Sequence, residues 1–374
     1  MLIGKKVKQP TGYEAFIPNS FPPQPKIGIN DKTLLLLDKA SRALSKLDGI
    51  TQLLPDLDFF IFMYIMKEAT KSNEIEGTQA SMSDVFESTA EITDKSDDVT
   101  RILRYIDALN HGLKRIEELP LSLRFIREIH NVLLTKTADA RGKTPGEFRR
   151  SQNWIGGGSP NTARFVPPPP NEMIVALGDF EKFLYEENTY PPLIQAALIH
   201  AQFETIHPFL DGNGRTGRLL TTFYLYKAGV LEQPVLYLSE YFLNNKKEYY
   251  NALSEYHQEN SNISIWLDFF LDGVAIISAE ASEVAKKINQ IRQQDIQKIQ
   301  TLGVRTKNAS LVLNSLYKQP IMTVAKVVEW TGLSRPQANE LVGKMVEMGI
   351  LEQRNPEADY AREFWYKKYL DLFI

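Results

Sequence analysis

The 374-residue chain has no cysteine, which excludes disulfides, thiol nucleophiles and zinc–thiolate centres and fits a cytoplasmic protein. It also lacks a long hydrophobic run. The longest, Phe59 to Met66, falls far short of the roughly 20 residues a membrane span needs, so no membrane partner is expected. The segment Met1 to Asn30 carries Lys5, Lys6 and Lys8 but no apolar core, so no signal peptide is expected. Neither sign of charge predominates: 43 basic residues stand against 46 acidic ones, a net −3. That balance gives no global pull toward nucleic acid or an anionic surface. Apolar residues make up 43% and charged residues 24%, ordinary values for a globular protein, and the length allows two or three domains.

What the chain does have is concentrated in one stretch, His207-Pro208-Phe209-Leu210-Asp211-Gly212-Asn213-Gly214-Arg215-Thr216-Gly217-Arg218. Apolar helical runs precede it (Leu193 to Phe203) and follow it (Leu219 to Tyr226). The stretch therefore reads as a short loop that opens the second of two buried helices. Pro208 breaks the first helix at His207. Gly212, Gly214 and Gly217 are expected to take positive φ and let the backbone approach a ligand. The unpaired amides and positive dipole end of the following helix make an anion site, for which phosphate is the usual occupant. Arg215 and Arg218 add two guanidinium forks suited to phosphate. Asp211 offers a hard oxygen for Mg²⁺, and His207 is a base that titrates near neutrality. A helix cap needs one glycine and none of these charged groups, and the Walker spacing is absent.

At these residues the sequence resembles the Fic family, whose core motif is His-x-Phe-x-Asp/Glu-Gly-Asn-Gly-Arg-x-x-Arg. Every fixed position is matched. The family typically transfers AMP from ATP to a hydroxyl of a target protein. The resemblance implies that His207 deprotonates the hydroxyl and that Asp211 holds Mg²⁺ between the α- and β-phosphates. Gly212, Asn213 and Gly214 would form the anion hole, Arg215 would bind phosphate, and Arg218 would hold the γ-phosphate. Upstream, Ser72-x-x-x-Glu76-Gly77 resembles the family's inhibitory motif. There the glutamate occupies the γ-phosphate place by pairing with the second arginine, here Arg218. A carboxylate and a phosphate would compete for one fork.

The rest of the chain reads as mainly α. Residues 1–30 form an extended, Pro-rich arm (Pro10, Pro18, Pro22, Pro23, Pro25) packed on the body through Tyr13, Phe16, Ile17 and Phe21. A helix from Asp31 to Gly49 presents Leu34, Leu37, Ala40, Leu44 and Leu47. A second runs from near Pro55 to the Ser72–Gly77 segment. Ser83 caps a short helix through Glu87, and Asp94 to Asp98 is a polar loop. Helices follow over Thr100–Leu113, Ser122–Leu134 and Asn171–Glu186. His111, His130 and His200 read as packing or surface residues rather than ligands. Between Arg141 and Pro170, two short apolar segments around a Gly/Ser/Pro turn predict a β-hairpin. It resembles the Fic flap, which pairs with the target backbone as an added strand, and Thr162, Ala163, Arg164, Phe165 and Val166 form the candidate docking edge. Tyr241 and Asn244 are candidates for closing over the nucleotide base. Ser264 to Ile277 is a core helix, and Ala279 to Ile299 a linker helix without a sustained heptad, leaving a homodimer role open.

After Arg305 come a helix from Ser310 to Tyr317, another over Thr323–Trp330, a turn at Gly332, and a Ser334-capped helix. Ile350–Gln353 and Phe364–Tyr366 then suggest a wing, giving a winged helix-turn-helix pattern. Ten Lys/Arg against eight Asp/Glu over 305–374 leave DNA and protein partners equally open. The expected organisation is an N-terminal arm and inhibitory helices (1–100), a Fic catalytic domain (101–278), a linker helix (279–304) and a winged helix (305–374). The expected activity is protein adenylyl transfer from Mg-ATP to a Ser, Thr or Tyr hydroxyl of a target or of the enzyme itself. The alternatives are other chemistry on the same fold (AMP removal, phosphate or phosphocholine transfer, another nucleotide) and a DNA-binding regulator that uses the fold as a nucleotide sensor.

Overall fold

The computed structural model describes residues 3–24, 26–82, 84–85, 96–185, 189–258, 261–357 and 362–373. Pro25, Asp94 and Glu186 lie outside the described residues, as do Ser83, Phe86 and Glu87 of the expected Ser83–Glu87 helix, whose residues 84–85 are helical. The chain divides into two compact units, one of Met1–Ser45 with Ile65–Ser278, the other of Lys46–Tyr64 with Ala279–Ile374.

The first unit is built around two helices. α6 (Pro192–Ile206) is buried from Leu193 to Ile206, and α7 (Asn213–Lys227) is buried along most of its length. An all-round apolar helix belongs at the centre of a domain, and α6 behaves so. α3 (Asp97–Arg115) and α4 (Leu123–Leu134) pack beside them. Each has the cap its sequence dictates: Ser96 accepts the Val99 amide and Ser122 the Phe125 amide. The expected polar loop through Asp98 thus ends at Ser96, because two aspartates in the first turn suit the helix dipole. Close packing onto α7 needs Gly112, where a Cβ would lie 2.1 Å from the Phe223 ring. α5 (Pro170–Tyr185) completes this part.

Several expectations are corrected. The N-terminal arm is a β-hairpin, β1 (Gly4–Lys8) antiparallel to β2 (Glu14–Pro18), with Ala15 and Phe16 buried. α1 spans Asp31–Thr51 and passes through Gly49, since a glycine alone weakens a helix without ending it. Its inward residues include Thr33, Ala40, Leu44 and Leu47, whereas Leu34 is exposed. Thr33 faces inward because its hydroxyl donates to Asp268 at 2.5 Å. The expected core helix and linker helix are one helix, α10 (Ile263–Gln300), as no proline or turn interrupts it, and Ile265 is exposed on it. α2 covers Leu57–Ile75, and α8 (Ser239–Asn244) and α9 (Lys246–Tyr256) precede α10.

In the second unit, α11 (Thr306–Leu316), α12 (Val324–Thr331) and α13 (Arg335–Glu347) accompany a three-stranded antiparallel sheet. Its order is β3 (Ile321–Thr323), β5 (Glu363–Trp365), β4 (Glu352–Gln353). Gly332, at φ 71°, turns the chain between α12 and α13, and Ser334 with Gln337 forms a capping box. β3 was not anticipated from the sequence, and Ile350, Leu351 and Tyr366 fall outside the strands. The fully buried Asp295 accepts hydrogen bonds from Tyr366 and Lys368, each at 2.6 Å. No helix among the described residues is long and apolar enough to cross a membrane.

Candidate active site

The loop joining α6 to α7 is fixed from several directions. His207 ends α6 in the left-handed region (φ 49°, ψ 60°), an uncommon place for a non-glycine residue and one held only by its surroundings. Its carbonyl accepts from Arg149 Nε at 2.9 Å, and the Pro208 carbonyl accepts from the Arg149 amide at 2.9 Å. Asn213 clamps Phe209 from both sides: Oδ1 accepts its amide at 2.8 Å and Nδ2 donates to its carbonyl at 2.9 Å. Asn153 donates to the same Phe209 carbonyl at 2.8 Å. The Phe209 ring stacks on His130 at 3.6 Å. His130 Nδ1 accepts the Gly146 amide at 2.8 Å, so Nε2 is the nitrogen that donates to the Asp211 carbonyl at 2.9 Å. Burial lowers this imidazole to about 4, which keeps it neutral and leaves one nitrogen an acceptor.

Of the three motif glycines, only Gly212 has positive φ (74°). The other two are needed for space. A Cβ at Gly214 would lie 2.6 Å from Glu76 Oε1, and one at Gly217 would lie 2.8 Å from Glu204 Oε1. The expectation of positive φ at all three is corrected accordingly. Gly212 offers no side chain to cap α7, and its own amide donates to Asp211 Oδ1 at 2.6 Å.

A cavity of about 380 Å³ opens over this loop. His207, Asp211, Gly212, Asn213, Gly214, Arg218 and Glu76 line it, with Arg164 and Phe165 from the flap and Tyr249, Tyr250 and His257 from the far side. Arg218 is buried and fully engaged: Nε donates to Ser72 Oγ at 2.8 Å, and Nη2 donates to the Ser72 carbonyl at 3.0 Å and to Glu76 Oε1 at 2.7 Å. Burial disfavours its charge, but Glu76 together with Tyr249 and Tyr105 outweighs that and raises the guanidinium above its ordinary value. Gly77, at φ 99°, turns the chain just after Glu76. Lys246 Nζ donates to the Ile75 carbonyl at 2.6 Å and caps the end of α2. Glu68, two turns earlier, accepts from Tyr105 at 2.8 Å and from Ser239 Oγ at 2.6 Å. Among the described residues no group of three or more acidic or histidine side chains could hold a metal, and Asp211 shares the cavity wall with the carboxylates of Glu76 and Glu204.

Arg215 is placed differently. It is buried, does not line the cavity, and donates through Nη2 to Asp139 at 2.9 Å. Arg101 fixes Asp139 with Nε at 3.0 Å and Nη2 at 2.7 Å. Arg215 Nε and Nη1 have no hydrogen-bond partner among the described residues. Tyr241 and Asn244 also lie away from the cavity: the Tyr241 hydroxyl donates to Asp272 at 3.3 Å and its ring fills the space over Gly273. The predicted flap hairpin is a single bridge, Ile155 with Phe165. The Arg164 and Phe165 amides both donate to the Ile155 carbonyl, and the Val166 carbonyl accepts the Phe16 amide at 2.9 Å. Arg164 lies over the Tyr250 ring at 5.2 Å, and Phe165 stacks on His257 at 4.0 Å. Thr162 bonds within its own turn, to Ser159, and Ala163 precedes the bridge.

Sequence reading does not single out Glu204, Asp139, Arg149, Asn153, Tyr249 or Tyr250. Their partners are remote in sequence, so no local spacing marks them.

Residues 34–114 match the Fic/DOC family N-terminal model, and residues 120–225 match the Fic/DOC family model. A Drosophila grimshawi protein named protein adenylyltransferase Fic is 37% identical over 129 residues, 34% of this chain and 24% of that protein. Its Drosophila yakuba counterpart is 36% identical over 129 residues, 34% of this chain and 23% of that protein. The matched segment thus spans about a quarter of the length of these relatives. A Fic family protein from Desulfovibrio desulfuricans superposes with a TM-score of 0.59 at 17% identity, covering 92% of this chain and 98% of that one. A Fic domain containing signaling protein from Bacteroides thetaiotaomicron gives 0.54 at 22% identity, covering 67% and 97%. At these identities the structural likeness speaks for the fold alone. With both Fic/DOC models matched and the fold shared, the chain belongs to the Fic/DOC family.

Proposed function

We infer that the chain is a protein adenylyltransferase, transferring AMP from ATP to a hydroxyl of a target protein or of itself, and that Glu76 holds it in check. The observation that carries this reading is the Glu76–Arg218 ion pair at 2.7 Å, on the rim of a cavity whose floor is an uncapped helix N-terminus with His207 beside it. A guanidinium next to a helix N-terminus is an anion site, and a carboxylate now occupies it.

In the reaction, His207 removes the proton from the target hydroxyl. The hydroxyl oxygen bonds to the α-phosphorus, the bond to the pyrophosphate oxygen breaks, and pyrophosphate leaves. The amides of Gly212, Asn213 and Gly214 and the dipole end of α7 face the developing charge. Arg215 has two nitrogens to spare for phosphate. Asp211 suits Mg²⁺, which needs only one or two carboxylates when phosphates complete its shell; bound there, it would neutralise phosphate charge. The target's backbone would meet the flap around Ala163. Named relatives carrying adenylyltransferase activity support the choice of AMP among the possible groups.

The order α11, β3, α12, Gly332 turn, α13, β4, β5 supports reading the C-terminal unit as a winged helix. On α13, Glu340 pairs with Arg305 at 2.7 Å, so the exposed face mixes both signs and favours a protein partner over a phosphate backbone.

The test is label transfer from α-labelled ATP with Mg²⁺. Glu76→Gly should raise protein-bound label at least about 10-fold by freeing Arg218 for the γ-phosphate. Glu76→Gly/His207→Ala should abolish it while ATP still binds. Absence of label in all three proteins, with transfer from γ-labelled ATP or another nucleotide instead, would overturn the reaction and leave the fold standing.

A further inference from the structure

Glu204 sits in the last turn of α6, three residues before His207, and the reaction just described does not use it. Its Oε2 lies 3.7 Å from His207 Nδ1. Both residues are buried or nearly so, and both His207 Nδ1 and Glu204 Oε1 lack a hydrogen-bond partner among the described residues. A buried carboxylate with an unused oxygen costs free energy, so its place needs a reason. The fold also makes room for it: Oε1 rests where the Cβ of any residue other than glycine at position 217 would come within 2.8 Å. Burial pushes the Glu204 carboxyl up, but His207, His200 and Arg218 outweigh this and hold it below the ordinary carboxylate range. It is therefore charged at neutral pH.

The geometry points to Glu204 as a positioning residue for His207. Its carboxylate draws the neutral imidazole's proton onto Nδ1 and leaves the Nε2 lone pair for the cavity. When Nε2 takes the target's proton, Glu204 stabilises the imidazolium. A neutral imidazole has one donor nitrogen and one acceptor nitrogen, and a base must present the acceptor to its substrate. Because Nδ1 is the buried nitrogen, the tautomer decides whether His207 can act. The inference rests on the adenylyl-transfer reading, in which His207 is the base.

The experiment uses the full chain in a Glu76→Gly background. Glu204→Gln should lower kcat by about 10- to 100-fold while the KM for ATP stays within about twofold, as expected for loss of support to a general base. The acid limb of the rate profile should move to lower pH, because a carboxylate favours the charged imidazole and an amide does not. Glu204→Asp should recover part of the rate. The other groups facing this pair are His200 on α6, Arg218 on α7, Tyr249 and Tyr250 on α9, His257 beyond it, and Arg149 at the His207 carbonyl. All are the same in each protein compared, so the shift isolates Glu204. An unchanged kcat with an unchanged acid limb overturns the proposal. If Glu204→Gln does not fold, nitrogen-15 shifts of the His207 imidazole in the wild-type protein decide it: the Nδ1–H tautomer is expected, and the Nε2–H tautomer overturns it. If Glu76→Gly itself transfers no AMP, the adenylyl-transfer reading fails, while the tautomer still reports on Glu204.

Discussion

Two loops line the same cavity and are held in opposite ways. The loop from His207 to Gly212 has its carbonyls and amides taken by Arg149, Asn153, Asn213 and His130, four side chains from separate parts of the chain. The flap around Ile155 to Phe165 has one bridge, a glycine turn and ring contacts of Phe165 with His257 and Phe16 and of Arg164 with Tyr250. Chemistry that must repeat identically needs the first kind of support, since a displaced base or anion hole loses rate steeply. A surface that meets a partner's backbone can use the second, because it completes its pairing on docking. Each loop also rests on a buried histidine: Phe209 of the first stacks on His130 and Phe165 of the second on His257.

The most direct way to break the contrast is Arg149→Met. Arg149 ties the motif loop to the segments that flank the flap, donating to the carbonyls of His207 and Ile206 on one side and of Ser151 and Pro168 on the other. Burial without a carboxylate partner lowers its guanidinium to about 10, so its four carbonyl partners are what hold the charge there. Methionine would fill the space and leave those carbonyls unmet, at a cost of about 3 kcal/mol. The urea midpoint should fall with the slope unchanged, and label transfer should vanish with it. A midpoint equal to wild type would mean that the motif loop does not depend on this arginine.

The two histidines sharpen the comparison through pH. Burial lowers His130 to about 4 and His257 to about 3, and it lowers His200, on α6, to about 4. These folded values lie below the unfolded one near 6.5, so the unfolded chain binds more protons between them. The contribution to stability is complete above pH 6.5 and is lost as pH falls toward 4. Between pH 7 and pH 5 each histidine should cost about 1–2 kcal/mol, read as a falling thermal midpoint. Glu68, raised by burial, opposes this trend, so the informative quantity is a difference. His257→Phe should lose less stability than wild type over the same interval. An equal loss would mean that His257 is not held neutral beneath the flap.

What the sequence disclosed follows the same division. The motif was legible because its chemistry is packed into consecutive residues, and Glu76 with Ser72 because a spaced motif points to Arg218. The supports were not legible. Arg149 lies 58 positions from His207 and Asp139 lies 76 from Arg215, and no periodicity links them. Glycine was read for the wrong property: Gly214 and Gly217 matter for the side chain they lack, which cannot be known until Glu76 and Glu204 are seen against them. Helix ends were misjudged where a weak breaker was taken for a stop, at Gly49 and near Ser278, because tertiary packing overrides a single unfavourable residue. Tyr249 and Tyr250 line the cavity and Tyr241 does not, although all are aromatic, because nothing local states which helix faces inward.

The smallest expected effect on stability belongs to the flap. Gly157 has φ 76°, and a Cβ there would lie 2.3 Å from the Thr162 carbonyl, so Gly157→Ala must reshape the turn. Few buried contacts depend on that turn, and segments of this kind open at little cost to the whole. The thermal midpoint should therefore move by less than the equivalent of about 1 kcal/mol. Trypsin cleavage after the exposed Arg164 should nevertheless accelerate several-fold, because the amides of Arg164 and Phe165 would lose the Ile155 carbonyl that now fixes them. The pairing of a quiet midpoint with fast cleavage is the signature of a locally held loop. A large drop in the midpoint with unchanged cleavage would instead place the flap among the over-determined parts of the site and erase the distinction between the two loops.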